Sequence, residues 1–273
     1  IWAPMMPGTR RTLRDVWVGS AGEVVAVGDS GMTVTSEGVT WRSAPTPTAQ
    51  PLRSIWGAPG GGLYAVGDLG AIVRRGAGGW SSMPSGTSER LFGVWGVSDA
   101  DILAVGGRGT ILHYDGSEWT PQASGTDRFL LGVWSHPANQ AFAVGAHGLV
   151  LRFDGASWVQ VPSGTDRFLY GVWGSAPNDV FAVGDGGVIL HFDGVRWSPM
   201  ESGTTARLQS VWGSGPSDVF AVGWNGVALH YDGSRWHRTD LGTGGGLLGV
   251  AGSAGGEVFA VGGPARVHRF LRP

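Results

Sequence analysis

The side chains best suited to chemistry stand in one recurring place, the dipeptide after each of seven Ala-Val-Gly segments. Along the chain these dipeptides are Asp29-Ser30, Asp68-Leu69, Gly107-Arg108, Ala146-His147, Asp185-Gly186, Trp224-Asn225 and Gly263-Pro264. An exposed indole such as Trp224 can stack on the apolar face of a sugar or anchor a partner's side chain. Asn225, Arg108, His147, Asp185, Asp68 and Asp29 would supply directional hydrogen bonds and charge around it. These are the candidate ligand-binding residues. If their loops converge, His147, Asp185 and Arg108 also suit acid–base chemistry in a lyase or hydrolase.

Other reactive-looking residues have simpler roles. His113, His191 and His230 recur at equivalent positions of a repeat, so they lie at least one structural unit apart and cannot meet on one ion at ~2.0–2.1 Å; no metal is expected. Asp115, Asp154, Asp193 and Asp232 each precede a glycine, where a short acid accepts hydrogen bonds from turn N–H groups. Asp127-Arg128 and Asp166-Arg167, in two copies of Ser-Gly-Thr-Asp-Arg-Phe-Leu, read as surface pairs worth ~0–1 kcal/mol. The chain has no GxSxG elbow, HExxH or phosphate loop with Lys. Its lack of Cys excludes disulfides and thiol nucleophiles. No catalytic residue and no cofactor is assigned.

The elements that must position the dipeptides follow from periodicity. Trp17, Trp56, Trp95, Trp134, Trp173 and Trp212 recur every 39 residues, Ala251 taking the seventh place, and the 273 residues make seven such units. The glycines of the Ala-Val-Gly segments, Gly28 to Gly262, keep the same step without insertion or deletion. In the fifth unit, apolar runs at 169–174, 179–184, 187–192 and 196–200 are divided by Asp185-Gly186 and Asp193-Gly194 among other turn signals. Strand-length runs joined by dipeptides that tolerate positive φ predict a four-stranded antiparallel meander. One meander per ~40 residues is a propeller blade, so the expected fold is all-β, a single seven-bladed β-propeller.

A second series, Trp41, Trp80, Trp119, Trp158, Trp197 and Trp236, marks the fourth strand, and one step back from Trp41 lies Trp2. Residues 1–6 are therefore expected to complete the seventh blade, whose other strands lie at 247–270. Blades 1–6 fall at about 12–45, 51–84, 90–123, 129–162, 168–201 and 207–240. The thirteen tryptophans of the two series read as packing between blades, which leaves Trp224 as the one without a structural position.

Glycine at 50 and proline at 15 residues would suggest disorder in a chain without a period, but 14 tryptophans and 42% hydrophobic content supply a core. All 19 basic residues are arginine and the net charge is −2, so no general attraction to nucleic acid or anionic membrane is expected. No apolar run reaches the ~18 residues of a membrane span. The start at Ile1, without initiator Met or leader, suggests a mature or excised domain, part of a larger chain or assembly.

The run Leu112–Trp119, Leu-His-Tyr-Asp-Gly-Ser-Glu-Trp, echoed at Leu151–Trp158, Leu190–Trp197 and Leu229–Trp236, resembles the Asp-box of BNR and sialidase-type propellers. The repeat order also looks like that of Ycf48-type photosystem assembly factors and of tandem-repeat surface propellers in high-GC soil bacteria. Asp115 directly precedes Gly116, whereas an Asp-box has a residue between them. No sialidase arginine triad or tyrosine nucleophile is recognisable. The resemblance implies the architecture, and its members include glycosidases, lectins and scaffolds. The expectation is a non-catalytic recognition or scaffold propeller, extracellular or in the cell envelope, binding a glycan or protein partner through its loop face. The alternatives are a lyase or hydrolase using the same loops, and a structural subunit of a larger assembly.

Overall fold

A computed structural model describes every residue except Val39, Thr243, Ala254 and Pro273. Seven four-stranded antiparallel sheets form a closed ring, the innermost strand of each meeting those of its two neighbours and blade 7 meeting blade 1. The fifth blade runs outward through Leu169–Ala176, Asp179–Gly184, Ile189–Phe192 and Trp197–Met200. Its third strand starts two residues later than the apolar run suggests. Gly186 and Gly187 both take positive φ, 69° and 75°, and two successive left-handed residues make a tight turn that no strand can include.

The seventh blade comprises Leu247–Gly252, Val258–Gly262, Arg266–Phe270 and, from the other end of the chain, Trp2–Met5. Trp2 pairs with Phe270 as Trp236 pairs with Tyr231. Its ring lies 5.3 Å from Phe270 and 6.2 Å, edge-on, from Phe220 of the previous blade. Trp236 makes the same two contacts, 5.3 Å to Tyr231 and 6.1 Å to Phe181. The N-terminal strand thus closes the ring with the contacts used elsewhere within it.

Blade-to-blade packing rests on pairs of tryptophan and glycine. A methyl group on Gly96, Gly174, Gly213 or Gly252 would lie 2.9, 2.9, 2.6 and 2.6 Å from the ring of Trp56, Trp134, Trp173 and Trp212 respectively, each in the preceding blade. Glycine is required there so that the indole can lie against bare backbone. At the closure the volumes are exchanged: Ala251 stands where the tryptophan would be, and Val18, in the glycine position of blade 1, fills the gap in the same core cluster.

Candidate functional site

The seven dipeptides lie in tight turns between second and third strands. The first N–H of each turn donates to the carbonyl just before the inner strand, as in Asp29 to Thr12 at 3.1 Å, Asp185 to Phe168 at 2.9 Å and Trp224 to Arg207 at 2.9 Å. The turns and inter-blade linkers therefore open on one face. Ser30, Leu69, Arg108, His147 and Asn225 occupy the left-handed region at φ 50–62°, which costs about 1–2 kcal/mol for residues other than Gly, Asn or Asp.

At that face the inner strands surround the mouth of the central channel, a cavity of about 580 Å³. Of the seven candidate residues, only Trp224 lines it; the side chain is 48% exposed. Asp29, Asp68 and Asp185 lie behind the wall and hold the arginines that form it. Arg14 donates to Asp29 at 2.7 Å. Arg53 grips Asp68 with Nε and Nη2, and Arg90 reaches the same carboxylate at 3.0 Å. Burial opposes ionisation of Asp68, but the hydrogen bond and charge of Arg53, with Arg90 beside it, bring its pKa below the usual carboxylate value.

Arg207 is arranged differently. Its Nε donates to Asp185 at 2.7 Å, and its guanidinium lies 4.7 Å from the Tyr170 ring and 4.8 Å from the Trp224 ring. Tyr170 donates to the other oxygen of Asp185 at 3.1 Å. Burial, with Asp185 nearby, pushes the Tyr170 hydroxyl up to about 12, so it remains a donor. Across the mouth, Phe92 receives Arg53 at 5.4 Å and Arg90 at 5.8 Å. The exposed Leu69 and Phe129 add apolar surface on this side.

Deeper in the channel stands Asp15, where the equivalent residues are Gly or Ser. It accepts from Val16 N–H at 2.9 Å, Ser54 Oγ at 2.9 Å and Ile55 N–H at 3.0 Å, linking blades 1 and 2. Burial outweighs these hydrogen bonds and pushes its carboxyl up to about 6. Ser54 and Ser210 accept the corresponding N–H groups of Val94 and Val250.

Arg108, His147 and Asp185 do not form one acid–base centre. Arg108 approaches Glu89 at 3.9 Å, His147 packs on Phe168 at 5.2 Å, and Asp185 is engaged by Arg207 and Tyr170. Asn225 is exposed at its turn tip. His113, His191 and His230 pair with Asp101, Asp179 and Asp218 of their own blades at 2.9, 2.6 and 2.8 Å. Among the described residues no three His, Asp or Glu side chains group to hold a metal. In the outer hairpins Asp115, Asp154, Asp193 and Asp232 accept turn N–H groups, as the Asp-Gly pattern implies.

Sequence reasoning about the turns missed Arg14, Arg53, Tyr170, Arg207 and Gln209. For all of these but Arg207, which precedes its leucine, the signal was present directly after the repeated leucine of the inner strand. The residue after it reads Arg14, Arg53, Phe92, Leu131, Tyr170, Gln209 and Leu248, a column as varied as the turns.

No family model matches the chain, and no curated protein does. Solved structures resemble it in fold. Ycf48 bound to D1 peptide superposes with TM-score 0.81 at 15% identity, covering 100% of this chain and 95% of that one. Virginiamycin B lyase from Staphylococcus aureus gives 0.86 at 11% identity with 98% of each chain covered. The WD40 propeller domain of Doa1 gives 0.83 at 14% identity, covering 100% of this chain and 98% of that chain. At these identities the likeness establishes the β-propeller architecture and leaves the activity to the chain's own residues.

Proposed function

We propose that this protein is a non-catalytic recognition module that holds a segment of another protein at the mouth of its central channel. One observation carries the reading. Seven units that share their core, turns and closure diverge in the side chains around a single cavity, where arginines and aromatic rings are held in place by carboxylates. Aromatic and arginine side chains with one face open are the residue types that dominate protein-recognition hot spots. The peptide bound to Ycf48 supports the use of this architecture for such a ligand. The turn residues give the lyase alternative no assembled acid–base pair at the mouth, since Asp185 and His147 have separate partners there. A glycan could also stack on Trp224, but the arginines across the mouth are better matched to a polypeptide.

The test is a photo-crosslinking residue at Leu69, on the exposed turn at the mouth, used in lysate of the source organism beside a glycan array. One protein crosslinked through one segment, with capture lost in Trp224→Ala, is the expected result. Saturable binding to a glycan, with no protein crosslinked, overturns the reading.

A further inference from the structure

We propose that Arg207 is the receptor for a carboxylate on the bound segment, flanked by Trp224 and Gln209; this rests on the recognition role above and names the chemistry it reads. The guanidinium lies over two aromatic rings, 4.7 Å from Tyr170 and 4.8 Å from Trp224. Its Nε edge is fixed by Asp185 at 2.7 Å, and that carboxylate is itself fixed by the Tyr170 hydroxyl. Among the described residues its two terminal amino groups make no hydrogen bond. A planar cation held against two rings and fixed at one edge presents the remaining edge, whose two parallel N–H groups match a carboxylate. Because Arg207 is already ordered, little rotamer freedom remains to be lost on binding.

The other arginines of the wall lack this arrangement. Arg53 uses Nε and Nη2 on Asp68, and Arg14 uses Nε and Nη2 on Asp29. Gln209 lines the same cavity, and its amide has no hydrogen bond among the described residues, so it offers a further donor. Asp185 beside the guanidinium disfavours a second negative charge, which selects a monoanion over a phosphate dianion. Phe92, Leu131 and Leu248 make much of the remaining mouth apolar, so the carboxylate belongs beside an apolar or aromatic group. Such a carboxylate is either a chain end or an acidic side chain.

The experiment follows the Trp224 indole N–H by ¹⁵N NMR, assigned with Trp224→Phe. Four probes are titrated: N-acetyl-phenylalanine for the chain end, N-acetyl-glutamic acid α-amide for the side chain, N-acetyl-phenylalaninamide as the neutral control, and inorganic phosphate. At least one of the two acids is expected to shift the signal saturably, with the neutral amide about tenfold weaker or more. Which acid binds tighter identifies the source of the carboxylate. Arg207→Gln should abolish the response and Arg207→Lys weaken it about tenfold, since Lys keeps the charge without the fork. Arg196→Gln, in the outer Asp193-Gly194 hairpin and away from the mouth, should leave it intact. Equal response to acid and neutral amide, stronger binding of phosphate, or an unchanged response in a folded Arg207→Gln protein would each overturn the assignment. If Arg207→Gln still captures the crosslinked protein while the acids show no preference, this inference fails and the recognition role stands. If the acids bind through Arg207 and no protein is captured, the reverse holds.

Discussion

Trp224 and Trp197 are the same residue type under opposite constraints. Trp197 is buried and packs between Phe192 at 5.3 Å and Phe142 at 5.5 Å, so Trp197→Ala should cost roughly 3–5 kcal/mol through the cavity it leaves. Trp224→Ala should change stability by no more than about 1 kcal/mol, since the indole is half exposed, and should weaken partner binding by on the order of 2 kcal/mol. Urea unfolding beside titration of the captured partner separates the two effects. Comparable destabilisation by both variants would make Trp224 a core residue. Asp15 allows a test by pH. Its folded pKa of about 6 lies above the ordinary 3.8, so its contribution to stability is full below pH 3.8 and lost as the pH rises through 6. Serine, used at Ser54 and Ser210, can keep a hydrogen bond to the next blade without the charge. Asp15→Ser should therefore be more stable than the parent by on the order of 2 kcal/mol at pH 8, the gap closing toward pH 4. A gap that stays constant across unfolding curves at pH 4, 6 and 8 would show that ionisation is not its cause.

Within and between blades, the structure depends on places where backbone must approach something closely. The glycine ending each second strand, Gly28 and its six equivalents, has no room for a side chain because the carbonyl before the inner strand occupies that space. This contact fixes each turn beside its linker and brings the variable dipeptides to one face. The exchange of Ala251 and Val18 for the usual tryptophan and glycine makes a test of blade packing. Ala251→Trp alone should overpack the closure and cost about 1–3 kcal/mol. Val18→Gly alone should also destabilise, through lost burial and greater chain freedom. The double variant should recover at least about 1 kcal/mol of the summed loss in a double-mutant cycle. Strictly additive losses would mean that these two positions do not exchange volume.

For the ring as a whole, Trp2–Met5 is a single short strand that completes the last sheet. Deleting residues 1–6 removes the Trp2 contacts with Phe220 and Phe270 and exposes the edge of Arg266–Phe270. An open edge is a template for pairing with another chain. The truncated protein should melt about 10 °C lower, or associate in proportion to its concentration, as read by calorimetry and light scattering. An unchanged melting temperature in a monomer would show that closure does not depend on this strand.

The period, the four strands per blade and the closing role of Trp2 could be read from the chain because each follows from local rules applied seven times. Apolar runs of strand length, glycines at fixed offsets and two tryptophan series carry the same information in every unit, so errors in one are corrected by the others. The turn dipeptides were legible as departures from that regularity, and so was the position of Trp224 at a turn. Their partners were not. Asp68 is shared by Arg53 and Arg90, which belong to different blades, and Arg207 meets Tyr170, 37 residues earlier, and Trp224, 17 residues later. Whether Asp185 serves a ligand or holds an arginine depends on how far the inner strands bring such side chains together around the channel. That distance is set by the curvature of the closed ring, to which all seven blades contribute, and no spacing along the chain encodes it locally.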